Sequence, residues 1–154
     1  MLCIANFAGC NFRRIDIHFV SRLQFPQLKL LYLYAINISF ISIRCLIGSY
    51  TALEGLQIVG SGGFPSLCIH SSTLRTIGLS CRLYGSITRG IGEFHILVIK
   101  EAPCLERLIL LDPARRTAIW LDDAPKLTML SYTSIANSLL SIGDLTIKVQ
   151  HSSC

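Results

Sequence analysis

Apolar residues recur along this chain in the pattern Leu-x-x-Leu-x-Leu, whose fourth and sixth positions are two residues apart. A spacing of two places both side chains on the same face of a β-strand, so each copy predicts a short strand with one buried face. The pattern occurs five times, with Ile or Tyr at some positions: Leu28, Leu31 and Leu33; Leu53, Leu56 and Ile58; Leu74, Ile77 and Leu79; Leu105, Leu108 and Leu110; and Leu127, Leu130 and Tyr132.

The spacing between the copies indicates that the strands belong to one repeated unit. Successive first leucines are 25, 21, 31 and 22 residues apart, and leucine-rich repeats have periods of about 20 to 29 residues. The long interval implies a loop insertion, for which 81–93, with Gly85, Gly90 and Gly92, is the candidate. Five parallel strands would therefore stack as the concave wall of a solenoid.

A fainter strand signal precedes three of the copies, which predicts that the opposite, convex wall is partly extended too. One segment differs, because Ile43, Leu46 and Ile47 have helical spacing and Gly48 offers a stop, so a short helix is expected over 42–49. The fainter strand signals are Phe64, Leu67 and Ile69; Phe94, Leu97 and Ile99; and Ile119 and Leu121.

The repeat is irregular at the position after the strand. A full repeat carries Asn or Cys at its ninth position, whereas these copies hold Ile36, Ser61, Arg82, Pro113 and Ile135. The predicted fold class is therefore α/β and strand-rich, an irregular leucine-rich-repeat solenoid. We expect about five coils over 25–135, a lead-in strand or cap remnant over 1–24 and a divergent tail over 136–154.

The turns that lead into the strands have a signature of their own. Ala-Pro-x-Leu is written at Ala102-Pro103 and again at Ala124-Pro125, and Pro26 stands in the same place before Leu28. Proline fixes φ and biases the preceding residue toward extended geometry, which suits a corner between two strands. The motif is therefore expected to shape the scaffold and to carry no chemistry.

The amino-acid composition and charge limit the classes of partner that the chain could bind. Hydrophobic residues make up 51% of the chain and charged residues 15%, which excludes disorder. The net charge of +5 is spread along the chain, whereas nucleic-acid binding needs a clustered basic face. The longest uncharged apolar stretch, 30–43, is shorter than the ~20 residues that span a bilayer. We therefore expect neither nucleic-acid nor membrane binding.

The cysteines indicate an intracellular protein. There are seven of them, an odd number, and none forms Cys-x-x-Cys, so neither a zinc ribbon nor a disulfide scaffold fits. Most are expected to be reduced, buried small hydrophobes. The expected location is the cytoplasm or the nucleus.

Two segments could suggest a cofactor or metal site. Gly60-Ser61-Gly62-Gly63 follows a predicted strand, but the next segment also reads as a strand, whereas a dinucleotide site needs a helix there, so we expect a turn. Cys68 and His70 are two residues apart, and such a pair supplies at most two of the four ligands of structural zinc. We expect no cofactor and no metal.

Catalytic patterns are also absent from the sequence. Gly-x-Ser-x-Gly does not occur, so no serine nucleophile elbow is visible. Asp122 and Asp123 could suggest acid chemistry, but they precede an Ala-Pro corner, where a solvated turn is the default. We expect no catalytic residues and no enzyme activity.

The outward positions of the concave strands are the remaining candidates for function, because solenoids bind partners on extended concave faces. Tyrosine and arginine among them are enriched at interface hot spots. The alternative is an ordinary strand surface or a face covered by flanking domains. The candidate protein-binding residues are Tyr32, Tyr34, Gln57, Val59, Arg107, Ile109, Met129 and Ser131.

Five segments in order resemble the leucine-rich-repeat region of plant F-box proteins, in particular the grass type that often ends in an FBD domain. They are FPQLKLLYLYAINIS, LIGSYTALEGLQIVG, FPSLCIHSSTLRTIGLS, EFHILVIKEAPCLERLILLDP and APKLTMLSY, and the resemblance covers roughly 10–135. It implies a protein-interaction module that recruits substrates, while an N-terminal F-box docks onto the adaptor of a cullin-type ubiquitin ligase.

The chain departs from that family before the first copy and after the last. No F-box-like segment precedes Leu28 and no FBD-like module follows Tyr132, so contact with the ligase adaptor is not expected. The alternative hypothesis is a truncated, nonfunctional fragment without a partner. Because the chain shows no polar terminal caps, that hypothesis predicts aggregation or self-association when the chain is expressed alone.

Overall fold

Two walls of short strands enclose one apolar core in this protein. The computed structural model describes residues 2–12, 25–80, 96–111, 118–133, 138–142 and 145–149, the last two ranges for their backbone only. In chain order the elements are β1 (Ile4–Ala8), β2 (Leu30–Tyr34), α1 (Phe40–Gly48), β3 (Gly55–Val59), β4 (Ser66–His70), β5 (Thr76–Ser80), β6 (Ile96–Lys100), β7 (Arg107–Leu111), β8 (Ala118–Leu121), β9 (Met129–Thr133), β10 (Ser138–Ile142) and β11 (Leu145–Val149).

The concave wall is a parallel sheet of six described strands in the order β1-β2-β3-β5-β7-β9. Its register follows the repeat, because each fourth motif position pairs with the fourth position of the next copy. Side by side in the sheet lie Leu31, Leu56, Ile77, Leu108 and Leu130. The five predicted strands and their parallel stacking are therefore confirmed, and β1 adds a sixth strand.

The convex wall is a second sheet in the order β11-β10-β8-β6-β4. Its strands are parallel except β11, which runs antiparallel to β10. The fainter strand signals correspond to β4, β6 and β8, although Phe94 and the loop predicted over 81–93 lie outside the described residues. The repeat pattern did not predict β10 and β11, which lie within 136–154.

The core lies between the two walls. Positions one, four and six of the first four copies are at most 7% exposed, and from the convex side Leu67, Ile69, Leu97, Ile99 and Ile119 are fully buried. Burying one such side chain contributes about 1.5–3 kcal/mol. In the fifth copy Leu127, Leu130 and Tyr132 are only half-buried.

The predicted helix is confirmed as α1, which takes the place of a convex strand in its coil. The Ser39 hydroxyl accepts a hydrogen bond from the Ser42 amide at 3.1 Å and caps the first turn. Ile43, Leu46 and Ile47 are buried, as their spacing predicted. The helix ends at Gly48, where the Ser49 amide donates to the Cys45 carbonyl at 3.0 Å.

Each coil enters its concave strand through the same turn. In four copies the amide of the first motif leucine donates a hydrogen bond to the carbonyl of the residue three positions earlier. The pairs are Leu28 to Phe25, Leu53 to Tyr50, Leu105 to Ala102 and Leu127 to Ala124, at 2.9 to 3.2 Å. In the third copy the Leu74 amide donates instead to the Ser71 hydroxyl at 3.2 Å. The prediction that the Ala-Pro motif shapes a corner is therefore confirmed, and the corner also forms without proline.

The coil leaves the concave strand through a residue in left-handed conformation. Gly9, Ala35 and Gly60 have φ of 63°, 50° and 54° at equivalent positions after β1, β2 and β3. Nearby, the Ser61 hydroxyl accepts from the Ile36 amide and lies at hydrogen-bond distance from the Leu33 carbonyl, both at 3.2 Å. Ser61 stands at a ninth position, so a serine makes inter-coil bonds where a regular repeat has asparagine.

Candidate protein-binding face

The outward side chains of the concave sheet form three rows across the strands. All eight residues predicted from the sequence lie in these rows, four of them in the middle one. The first row is Ile4, Leu30, Gly55, Thr76, Arg107 and Met129; the middle row is Asn6, Tyr32, Gln57, Gly78, Ile109 and Ser131; and the last row is Ala8, Tyr34, Val59, Ser80, Leu111 and Thr133.

Exposure varies along the rows. Tyr34 and Met129 are each 48% exposed and Leu111 is 43% exposed, while Tyr32 and Ile109 are half-buried. Large apolar side chains therefore face outward on both sides of the sheet's centre. Tyrosine in such positions offers a large contact area at a low cost in conformational entropy.

The centre of this face contains a depression of about 260 Å³. Leu30 and Tyr32 line it on the β2 side, and Ile109 and Leu111 line it on the β7 side. Its floor lies at β3 and β5, where Gly78 has no side chain and Gln57 and Thr76 also line the space. The depression is thus an apolar recess in an otherwise continuous row of side chains.

The two glycines contribute to the recess in different ways. A Cβ at Gly55 would lie 2.6 Å from Leu30 Cδ2, so the Leu30 side chain already occupies the space above Gly55. A Cβ at Gly78 would meet only Gln57 Cγ, at 3.5 Å, which is ordinary contact. The space above Gly78 is therefore open, and the absence of a side chain there keeps it so.

A row of alternating charges runs along the edge of the concave sheet, at the residue just before each of β2, β3, β5 and β7. Lys29 Nζ lies 2.9 Å from Glu54 Oε1, and Arg75 Nη1 lies 2.7 Å from Glu106 Oε1. The hydrogen bond between Lys29 and Glu54 raises the pKa of Lys29 and lowers the pKa of Glu54. We call these four residues the charge ladder.

The backbone of the charge ladder explains why its side chains align. The carbonyl of each ladder residue accepts two amides from the following coil; for example, Glu106 O accepts from Thr128 and Met129, both at 3.0 Å. This repeated bifurcated bond sets the offset between coils. Ladder residues of successive coils therefore stand next to each other, so that side chains of opposite charge can pair.

Arg107 is the charged residue of the three outward rows. It is exposed and stands beside Thr76, which lines the depression, and two positions before Ile109 on the same strand. Among the described residues it has no ion-pair partner, since the neighbouring Glu106 pairs with Arg75. Within the described part of the chain, the face therefore carries a positive charge without an ion-pair partner at the border of an apolar recess.

Sequence reasoning missed Leu30, Gly55, Gly78 and Leu111 as parts of this face. The same alternation that selected Tyr32 and Ile109 also places these four residues outward. The signal was available in the register, because an outward glycine such as Gly78 marks a gap in its row of side chains. The ladder was visible as Lys29, Glu54, Arg75 and Glu106 at the second motif position.

The convex wall presents an apolar surface of its own. Cys68, Val98 and Trp120 lie side by side on its outward side, and Trp120 is 52% exposed while Ile96 is 41% exposed. His70 lies at the end of this surface, with its Nε2 3.0 Å from Glu101 Oε2. Within the described residues, no group of three His, Cys, Asp or Glu side chains could hold a metal ion.

The other chemical candidates take ordinary structural positions. The segment 60–63 bends, carries an isolated bridge from Gly62 to Asn37 and leads into β4, a strand, whereas a dinucleotide site needs a helix there. Asp122 and Asp123 are exposed beside the Ala124 corner, and Asp123 has a φ of 54°. No helix in the described parts of the chain is long and apolar enough to cross a membrane.

Parallel strands at this period, with leucines buried between two walls, define a leucine-rich-repeat solenoid. Residues 1–153 match the family model described as the LRR repeats of FBD-associated F-box protein At5g56370, and the chain belongs to this family. The match includes 1–24 and the greater part of 136–154, on either side of the five copies. The chain matches no curated protein and no solved structure.

Proposed function

We propose that this chain is a protein-interaction module that contacts its partner with the concave sheet. The observation that carries the proposal is the outward face of that sheet, with its apolar depression, flanking tyrosines and Arg107, which has no ion-pair partner among the described residues. Solenoids of this family type are interaction scaffolds, and concave faces are their usual binding surfaces. The eight residues predicted from the sequence are the proposed contacts.

The family gives this module a place in a larger process. Within an FBD-associated F-box protein, a repeat region that binds a partner would select the protein that a ubiquitin ligase modifies. We propose this recruiting role inside the cell for the module, with no catalysis of its own. Adaptor binding would belong to an F-box and not to the concave face.

Site-specific photocrosslinking from both walls tests which one contacts a partner. The photoreactive amino acid benzoylphenylalanine is placed at Gln57 on the concave face and, as a matched control, at Val98 on the convex face. Both residues are the central, outward residue of a five-residue strand that is paired on both sides. We expect specific crosslinked proteins in cells from position 57 and none from position 98.

The convex wall is a suitable comparison surface in this experiment, because it also carries an exposed aromatic side chain, Trp120. Crosslinks confined to position 98 would overturn the proposed binding face. Crosslinks to a second copy of the chain from position 57 would assign that face to self-association.

A further inference from the structure

The depression on the concave face has the shape of a site for one side chain. Its two apolar walls stand on β2 and β7, three strand positions apart, which corresponds to about 14 Å between their backbones. Between them the space above Gly78 is open. A large apolar side chain inserted there would lie between Gln57 on β3 and Ile109 on β7, with Tyr32 one strand beyond Gln57.

The charge around the depression favours a partner segment that carries negative charge. Along its border Lys29 is paired with Glu54 and Arg75 with Glu106. Arg107 stands on the strand that supplies the Ile109 wall, and among the described residues nothing of opposite charge is paired with it. A carboxylate is the group that an arginine guanidinium binds best, through two parallel hydrogen bonds.

We infer that the depression binds a segment of a partner protein in which a large apolar side chain, such as Phe, Leu or Met, stands close in sequence to Asp or Glu. The apolar side chain fills the space above Gly78, and the carboxylate pairs with Arg107. This inference rests on the proposed function, because it names the partner chemistry of the same face. Arg107 disfavours a basic segment at the site, and a purely polar segment would leave the apolar walls uncovered.

Selection from a displayed library of random short peptides tests the inference. The library is selected on the whole chain, and the peptides retained are compared with those retained by Gly78→Val, which fills the depression from a position that contacts no core side chain. Thr133→Val is the matched control, because it lies outward on the same face outside the depression. The thermal transition of each variant is measured to verify folding.

We expect the peptides lost on Gly78→Val, and kept on Thr133→Val, to combine a large apolar residue with a neighbouring Asp or Glu. A synthetic peptide of this kind should bind Gly78→Val about tenfold more weakly than the unaltered chain. Arg107→Gln should weaken it by a similar factor, and should have no effect on the same peptide with Asn or Gln in place of the acid.

Several results would overturn the inference. They are a selection in which Gly78→Val and Thr133→Val retain the same peptides, enrichment of basic peptides, or an Arg107→Gln effect that is equal for the acidic and the amide peptide. Should Gly78→Val fail to fold, Leu111→Glu replaces it, since it places a repelling charge on an exposed wall residue. Unchanged binding of the acidic peptide to Leu111→Glu would also reject the site.

The outcomes separate this inference from the proposed function. Crosslinking from position 57, together with peptide binding that ignores Gly78 and Arg107, leaves the concave face as the binding surface and removes the depression as its anchor. Crosslinking confined to the convex face removes both.

Discussion

The fourth and fifth copies of the repeat carry the same motif but differ in how completely they are covered. Both begin with Ala-Pro, both close the corner with a bond from leucine to alanine, and both continue into a five-residue strand. Yet Leu105 and Leu108 are fully buried, whereas Leu127 and Leu130 are half-buried.

The neighbours account for the difference. The fourth-copy strand β7 lies between β5 and β9, whereas β9 pairs with β7 alone among the described strands of the concave sheet. The motif thus determines the turn and the strand, while burial depends on a coil on each side. Solenoid stability is accordingly a sum of local terms and neighbour interfaces.

The largest expected effect is the contrast between Leu108→Ala and Leu130→Ala. Truncation at the fully buried Leu108 should lower the free energy of unfolding by about 2–5 kcal/mol, because it leaves a cavity between two coils. Truncation of the half-buried Leu130 should lower the free energy of unfolding by about 1–2 kcal/mol, since less buried apolar area is lost. Urea unfolding measures both, and a larger loss at Leu130 would show that β9 is fully covered.

The burial of Tyr50 in the solenoid interior can be tested by the pH dependence of stability. This tyrosine is 2% exposed, its hydroxyl has no hydrogen-bond partner in the described structure, and burial raises its pKa to about 12. Between pH about 10 and 12 the unfolded chain loses this proton while the folded chain keeps it. Stability should therefore fall as pH rises through that window, by up to about 3 kcal/mol in total.

The variant Tyr50→Phe isolates this contribution. We expect it to be at least as stable as the unaltered chain at pH 7 and to lose less stability between pH 10 and 12, because it has no proton to release there. Identical alkaline losses for the two proteins would show that Tyr50 is solvated. Thermal unfolding at a series of pH values makes the comparison.

The smallest effect concerns the charge ladder, which contains Glu106 in the fourth copy and ends in the fifth, where Thr128 stands. Thr128→Lys should extend the alternation and exceed Thr128→Gln in stability by up to about 0.5 kcal/mol at low salt. Both variants remove the same Thr128 hydroxyl bond to the Glu106 carbonyl. High salt should abolish the difference, and a difference that persists would mean that charge is not its cause.

The sequence predicted the parts of the fold that depend on local pattern. Alternation at Leu31 and Leu33 determined which side chains enter the core, and the helical spacing of Ile43 and Ile47 identified α1. The antiparallel strand β11 was not predicted, because its partner β10 lies outside the repeat pattern and strand pairing is a tertiary property.

The sequence predicted which residues lie on the candidate face, but it did not predict the depression in that face. Alternation placed Tyr32 and Ile109 outward, but the open space of the depression lies above Gly78, on another strand. Among the described residues Arg107 has no ion-pair partner, and the neighbouring Glu106 pairs with Arg75, which is 31 residues earlier in the chain. Such relations depend on the register between coils, which the motif spacing implies only after the strands have been aligned.

The central claim is that adjacent residues of each concave strand have opposite roles, one holding the core and the next facing a partner. Urea unfolding of Leu108→Ala and Ile109→Ala, side by side, tests it most directly. We predict that Leu108→Ala loses about 2–5 kcal/mol and that Ile109→Ala loses under about 1 kcal/mol. Equal losses at the two positions would contradict the register, and with it the concave face.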